Sequence, residues 1–185
     1  MGSIVDQYEI FEWFKQDLTV KSPAFNAANV RTTSNVGKID YQDRLGVIGA
    51  MECQLSKSVA TLILWDGQSE SDYDYVRNYL AKIMLETAQK HKRREPQNIA
   101  IYWLSWLVAR KVIDFALDPS LEKRNTALGE LYYIGMNTLI MDLEIYRKSW
   151  KPYEKQLNNL LQDEIAKVAL FMDQYRKQTL DEAQN

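Results

Sequence analysis

The sequence predicts an all-α fold, a bundle of about six to seven helices that contains a helix-turn-helix-like hairpin near residues 121–150. Three observations lead to it. Only 7 Gly and 4 Pro occur in 185 residues, so the backbone is rarely broken. Apolar residues recur at helical spacing along most of the chain. Short Asp/Ser/Gly/Pro groups separate these runs, as at Asp66-Gly67-Gln68-Ser69 and Asp118-Pro119-Ser120. The length of 185 residues suits one domain with a sizeable core. The expected organisation is an N-terminal helix and flexible arm over 1–38, followed by a helical body over 39–185.

Residues 3–18 read as a short amphipathic helix with Ile4, Tyr8, Phe11 and Phe14 on one face, widened by Ile10 and Trp13. So many aromatics on a terminal helix are expected to dock onto the chain's own core. Periodicity stops between Thr19 and Lys38, a Ser/Thr/Asn-rich stretch with Pro23 that reads as a flexible linker. Its Lys21, Arg31 and Lys38, with no acidic residue among them, leave open an arm lying on a partner surface.

Asp40 to Trp65 reads as one helix whose Gly46, Gly49 and Ala50 admit a close neighbour. Ser69 or Ser71 is placed to cap the next helix, and Glu70, Asp72 and Asp74 suit the positive end of its dipole. That helix continues to His91, with Tyr75, Tyr79, Leu80 and Met84 expected inward. It ends in His91-Lys92-Arg93-Arg94-Glu95, which serves equally as a cationic C-terminal cap or as a phosphate contact. Gln97 to Leu117 is the most apolar segment, so it is expected at the centre with Trp103 and Trp106 as core. After Pro152, which suits a first helical turn, Tyr153 to Tyr175 carries one long apolar stripe and closes the bundle; Thr179 to Asn185 is expected to fray.

Between these segments, Ala127, Leu128, Leu131 and Tyr132 run into Ile134-Gly135-Met136, and a second run carries Leu139, Ile140, Leu143 and Trp150. Two helical runs joined at a Gly are the pattern of a helix-turn-helix over 121–151. In that reading Asn137 or Thr138 caps the recognition helix. Lys123 and Arg124 before it, and Arg147, Lys148 and Lys151 after it, meet phosphates. The competing reading is an ordinary helical hairpin whose Gly is a C-cap. Leu131 stands where a small residue is usual, and Glu144 where an apolar one is.

The chemistry-bearing residue types exclude more than they suggest. Cys53 is the single cysteine and His91 the single histidine, so neither a disulfide framework nor a Cys/His zinc or catalytic set is available. No Gly-rich phosphate loop or paired apolar carboxylates occur, so no enzyme, catalytic residue, metal or cofactor is expected. The formal net charge is −2, which confines any anion-binding surface to a local patch. No apolar run reaches membrane-spanning length and the N-terminus lacks a signal-peptide pattern, so a cytoplasmic location without membrane contact is expected.

Several local patterns resemble, in order, the lambda-type phage late-gene antitermination proteins, the Q family. They are Lys21-Ser22-Pro23 before a Ser/Thr-rich stretch with Arg31, Asp40 with Gly46 and Met51, and VATLILWDG. Asn78-Tyr79-Leu80, then YWLSWLVARKVIDFAL with Asp114, and finally Trp150-Lys151-Pro152-Tyr153 leading to LLQDEIAKVAL complete the likeness. It implies a phage-derived transcription regulator in a bacterial host cell that binds double-stranded DNA and RNA polymerase and catalyses nothing. Carried over by position, Arg124 to Lys151 would face DNA, with Asn137 and Thr138 at the recognition helix's start. Phosphate contacts would come from Arg147, Lys148 and Lys151, together with Lys92 and Arg93. The family's cysteine-paired zinc ribbon is missing here; a short link around Asp118-Pro119-Ser120 stands in its place, as in a zinc-free, divergent member. The alternative is a helical protein-interaction module, such as a phage inhibitor of a host complex, with no nucleic-acid role. Low net charge, the aromatics of the first helix and the acidic stretch Asp66–Asp74 point that way.

Overall fold

The structure, a computed structural model, describes residues 8–15, 41–121 and 126–184. Within them the chain is all-helical, as expected. The helices are α1 (Glu9–Lys15), α2 (Tyr41–Ala50), α3 (Gln54–Leu64), α4 (Glu70–Lys90), α5 (Ile101–Leu117), α6 (Ala127–Tyr133), α7 (Leu143–Ser149) and α8 (Lys151–Gln184). The linker expected over 19–38, together with Lys123 and Arg124, lies outside the described residues.

The long α8 is the spine. Leu157, Leu161, Ile165, Val168 and Met172 are buried along it, and α3, α5 and α7 pack against that stripe. It begins with Pro152 in its first turn, where a missing N–H costs nothing. The tail expected to fray stays helical to Gln184. Asp173 pairs with Lys177 at 2.7 Å and Arg176 at 2.6 Å across successive turns, and the Thr179 hydroxyl donates to the Tyr175 carbonyl.

α1 docks onto α3 and α8 with Phe11 and Phe14 fully buried, so these two aromatics belong to the core. Each such burial stabilises by about 1.5–3 kcal/mol. The helix expected from Asp40 to Trp65 is two helices, because the chain leaves helical geometry at Met51-Glu52-Cys53 and buries Met51 at the bend. Gly46 lets the end of the Tyr175 side chain approach α2 closely: a Cβ there would lie 2.5 Å from the Tyr175 hydroxyl of α8. Gly49 faces open space.

α4 and α5 form the most extensive helix pair. α5 buries Leu104, Val108, Val112 and Ile113 but turns Tyr102 and Trp103 to the surface at 56% and 55% exposure, so Trp103 is not core. Tyr75 and Tyr79 of α4, expected inward, are likewise exposed. Aromatic character cannot distinguish a core face from a half-wet one, because the rings suit both.

Among the described residues, Lys111, Glu154 and Glu164 are the buried charged side chains. Lys111, on the inner face of α5, is 2% exposed. Its ammonium donates to Glu130 of α6 at 2.6 Å and to both carboxylate oxygens of Glu154 of α8 at 3.0 and 3.1 Å. The buried Tyr146 hydroxyl of α7 also donates to Glu154, and Lys151 donates to it at 2.7 Å. Burial alone would raise the Glu154 carboxyl, but Lys111, Lys151 and Tyr146 bring it below the usual range. Tyr146 is pushed well up by burial and by Glu154 beside it.

Two predictions follow from this cluster. Lys111→Ala leaves Glu130 and Glu154 without their buried counter-ion and should cost about 3–5 kcal/mol in urea unfolding. Glu154 has a folded pKa below its unfolded value of about 4.3, so its stabilisation is present above that pH and lost as pH falls through the lowered folded value. Thermal melts should therefore show wild-type stability falling below about pH 4, and a flatter acid limb in Glu154→Gln. Equal acid slopes in the two proteins would disprove that assignment.

Candidate nucleic-acid interface

The hairpin differs from the geometry its sequence suggests. α6 and α7 are 7 residues each and are separated by residues 134–142. Gly135 adopts φ +86°, with Gly135 N–H donating to Tyr132 O and Met136 N–H to Leu131 O. That is a Schellman C-cap, so the ordinary-hairpin reading of this Gly holds. Asn137 does not start the recognition helix. Its side-chain oxygen accepts from the N–H groups of Leu139 (3.0 Å) and Ile140 (3.1 Å), closing a local turn that goes no further. α7 begins at Leu143 instead, because the Asp142 carboxylate accepts from Glu144 and Ile145 N–H. Thr126 caps α6 in the same way, from Gly129 N–H.

The cations at the far end are also committed. Arg147 and Lys148 sit at 3.2 and 3.8 Å from Glu144 on the same helix. Both pairs are exposed, so their strength is small and a phosphate can compete for them. Lys151 is held by Glu154 and stands 3.9 Å from Glu130, which ties it to the buried cluster. The outer side of α7 presents Ile145, and the turn before it presents Leu139 at 80% exposure, neither of which reads a base edge by hydrogen bonding.

The structure does bring other expected residues together. Lys92, Arg93 and Thr138 line one groove of about 820 Å³, between the connection 91–98 and the segment from Thr138 to Trp150. The connection is shaped by the end of α4: Lys92 takes φ +52°, Lys92 N–H donates to Gln89 O and Arg93 N–H to Ala88 O. This is again a Schellman-type end, with Lys where Gly is usual. Arg93 Nε donates to the Tyr153 hydroxyl at 3.2 Å, and that hydroxyl lies 3.0 Å from His91 Nδ1. Asn98 Nδ2 donates to Leu139 O at 2.6 Å and links the two walls. Within the described residues Lys92, Arg93 and Arg94 form no ion pair. The two carboxylates of the groove both serve as helix caps: Glu95 accepts from Ile101 N–H at 3.0 Å, and Asp142 caps α7.

Arg94, read in the sequence as part of the basic run, also lines the groove, and Gln97 and Asn98 are groove residues not singled out in the sequence. The run Lys92-Arg93-Arg94 was the available signal for Arg94; nothing local marks the polar pair. A second hollow of about 490 Å³ surrounds Asp114. Its carboxylate accepts from the hydroxyls of Tyr73 (2.6 Å) and Tyr133 (3.1 Å) and lies 3.4 Å from Arg110. Burial and that carboxylate push both phenols up. Asp114 therefore ties α4, α5 and α6 together. Among the described residues, no group of three His, Cys, Asp or Glu side chains could hold a metal ion, and no helix is long and apolar enough to cross a membrane.

Lys92→Gly should raise stability by about 0.5–1 kcal/mol in thermal unfolding, since glycine takes positive φ without steric cost. A loss of stability would contradict the strained C-cap. No protein-family model, curated protein or solved structure matches this chain.

Proposed function

We propose that this chain is a nucleic-acid-binding transcription regulator, antitermination-like, that acts by contact with DNA and bacterial RNA polymerase and not by catalysis. The observation that carries the reading is the set of cations Lys92, Arg93 and Arg94, in no ion pair with a described residue, on a cap-held connection along one groove. Such cations displace the counter-ions condensed on a nucleic acid without first breaking protein ion pairs. The ordered resemblance to the Q family supplies the polymerase partner and the regulatory role. The interface is moved accordingly, from the second helix of the hairpin to the groove beside it, with Arg147 and Lys148 as flanking contacts.

A second reading, a helical protein-interaction module that blocks a host complex, is favoured by the exposed apolar pair Leu139 and Ile145. Anisotropy titrations with labelled duplex DNA at rising salt separate the two. Binding should weaken steeply with salt, and Lys92→Ala with Arg94→Ala should reduce affinity about tenfold and flatten the salt slope by about one to two. Arg147→Ala with Lys148→Ala should have the smaller effect. Unchanged affinity in the first pair, or no binding near physiological salt, refutes the groove as a DNA interface. Co-purification with RNA polymerase subunits is the expected outcome of a bacterial pull-down, and its absence counts against the polymerase partner.

A further inference from the structure

We infer that the surface beside this groove takes a single-stranded nucleic acid, with bases stacking on Trp103 and Tyr102 while phosphates meet Lys92, Arg93 and Arg94. The inference rests on the nucleic-acid reading above and names the form of the ligand.

The juxtaposition is set by one hydrogen bond. Glu95 accepts from Ile101 N–H, which folds the basic connection against the first turn of α5. Arg94 precedes Glu95 and Tyr102 follows Ile101, so the basic run and the two rings are joined through this one contact. Tyr102 and Trp103 are 5.4 Å apart at 72°, and Trp103 and Trp106 are 6.1 Å apart at 84°. These edge contacts hold the rings upright without stacking them away from water. Trp106 is itself fixed: the Arg77 guanidinium lies 3.7 Å from its ring centroid, and its Nε1 donates to Asn78 at 3.3 Å. The row therefore runs from an anchored ring at Trp106 to open rings at Trp103 and Tyr102.

A cationic track beside exposed aromatics is the arrangement that binds single strands, because every unpaired base offers a π-face. A duplex offers its phosphates to the same cations but keeps its bases stacked on one another. Trp103 thus separates the two ligands where the cations cannot. DNA and RNA strands share this chemistry.

The test uses the full chain with labelled dT and U oligonucleotides of about 20 nucleotides and a duplex of equal length. Wild type should bind the single strands with quenching of tryptophan fluorescence. Trp103→Ala should weaken single-strand binding tenfold or more while leaving duplex binding unchanged, and Trp103→Phe should restore most of it. Circular dichroism melts confirm that these surface variants fold. Duplex binding without single-strand binding, or single-strand binding indifferent to Trp103→Ala, overturns this inference and leaves the parent reading standing. Failure to bind any of the three ligands overturns both. Concentration-dependent self-association abolished by Trp103→Ala, with no strand bound, assigns the rings to a second copy of the chain and also overturns it.

Discussion

A lysine ammonium taken out of water has to be matched, and the way Lys111 is matched determines how the C-terminal half of this protein is assembled. Glu130 comes from α6, Glu154 from α8, and the Tyr146 hydroxyl from α7. Four helices thus meet at one charge. Such clusters are a poor source of net stability, since desolvation offsets most of the attraction, but any packing that leaves one member behind is heavily disfavoured. The short α6 and α7 carry little apolar surface of their own; Leu131 and Tyr146 are their buried side chains. Directional bonds to Glu130 and Glu154 supply the orientation that helices of 7 residues cannot obtain from burial alone.

That constraint also redistributes the charges available to a ligand. Lys151 is drawn into the cluster through Glu154, and Glu144 takes up Arg147 and Lys148. The far side of the hairpin turn is fastened to the 91–98 connection through Asn98, while Tyr153, next to Glu154, anchors Arg93. The buried cluster and the groove are therefore adjacent parts of one construction. The connection keeps three cations that form no ion pair with a described residue, and the start of α5 keeps two exposed rings.

Much of the fold was legible in the sequence. The period of apolar residues marked α1, α4, α5 and α8, and Asp66-Gly67 and Asp118-Pro119 marked their boundaries, because these signals act within one or two helical turns. The break at Met51–Cys53 was not legible, since no Gly or Pro stands there and the bend is made by burying Met51. Lys92 and Arg93 were visible as a basic run, and the groove contains both. Asn137 was correctly marked as a capping type, but its bonds close an isolated turn, and Asp142 is the cap that starts a helix. Both residues have the same local preference; the choice between them depends on where Met141 and Tyr146 reach the core.

By itself, then, the sequence determined that the chain is helical, where most helices start and stop, and that no cysteine or histidine set is available to it, because those properties reside in residue type and short-range spacing. Tertiary structure alone decided which charges are spent and which are free. Lys111 and Lys92 are equal in kind, yet one faces carboxylates from α6 and α8 and the other faces solvent on a left-handed cap. Residues distant in sequence make that difference, by lowering the dielectric around one ammonium and leaving the other in water.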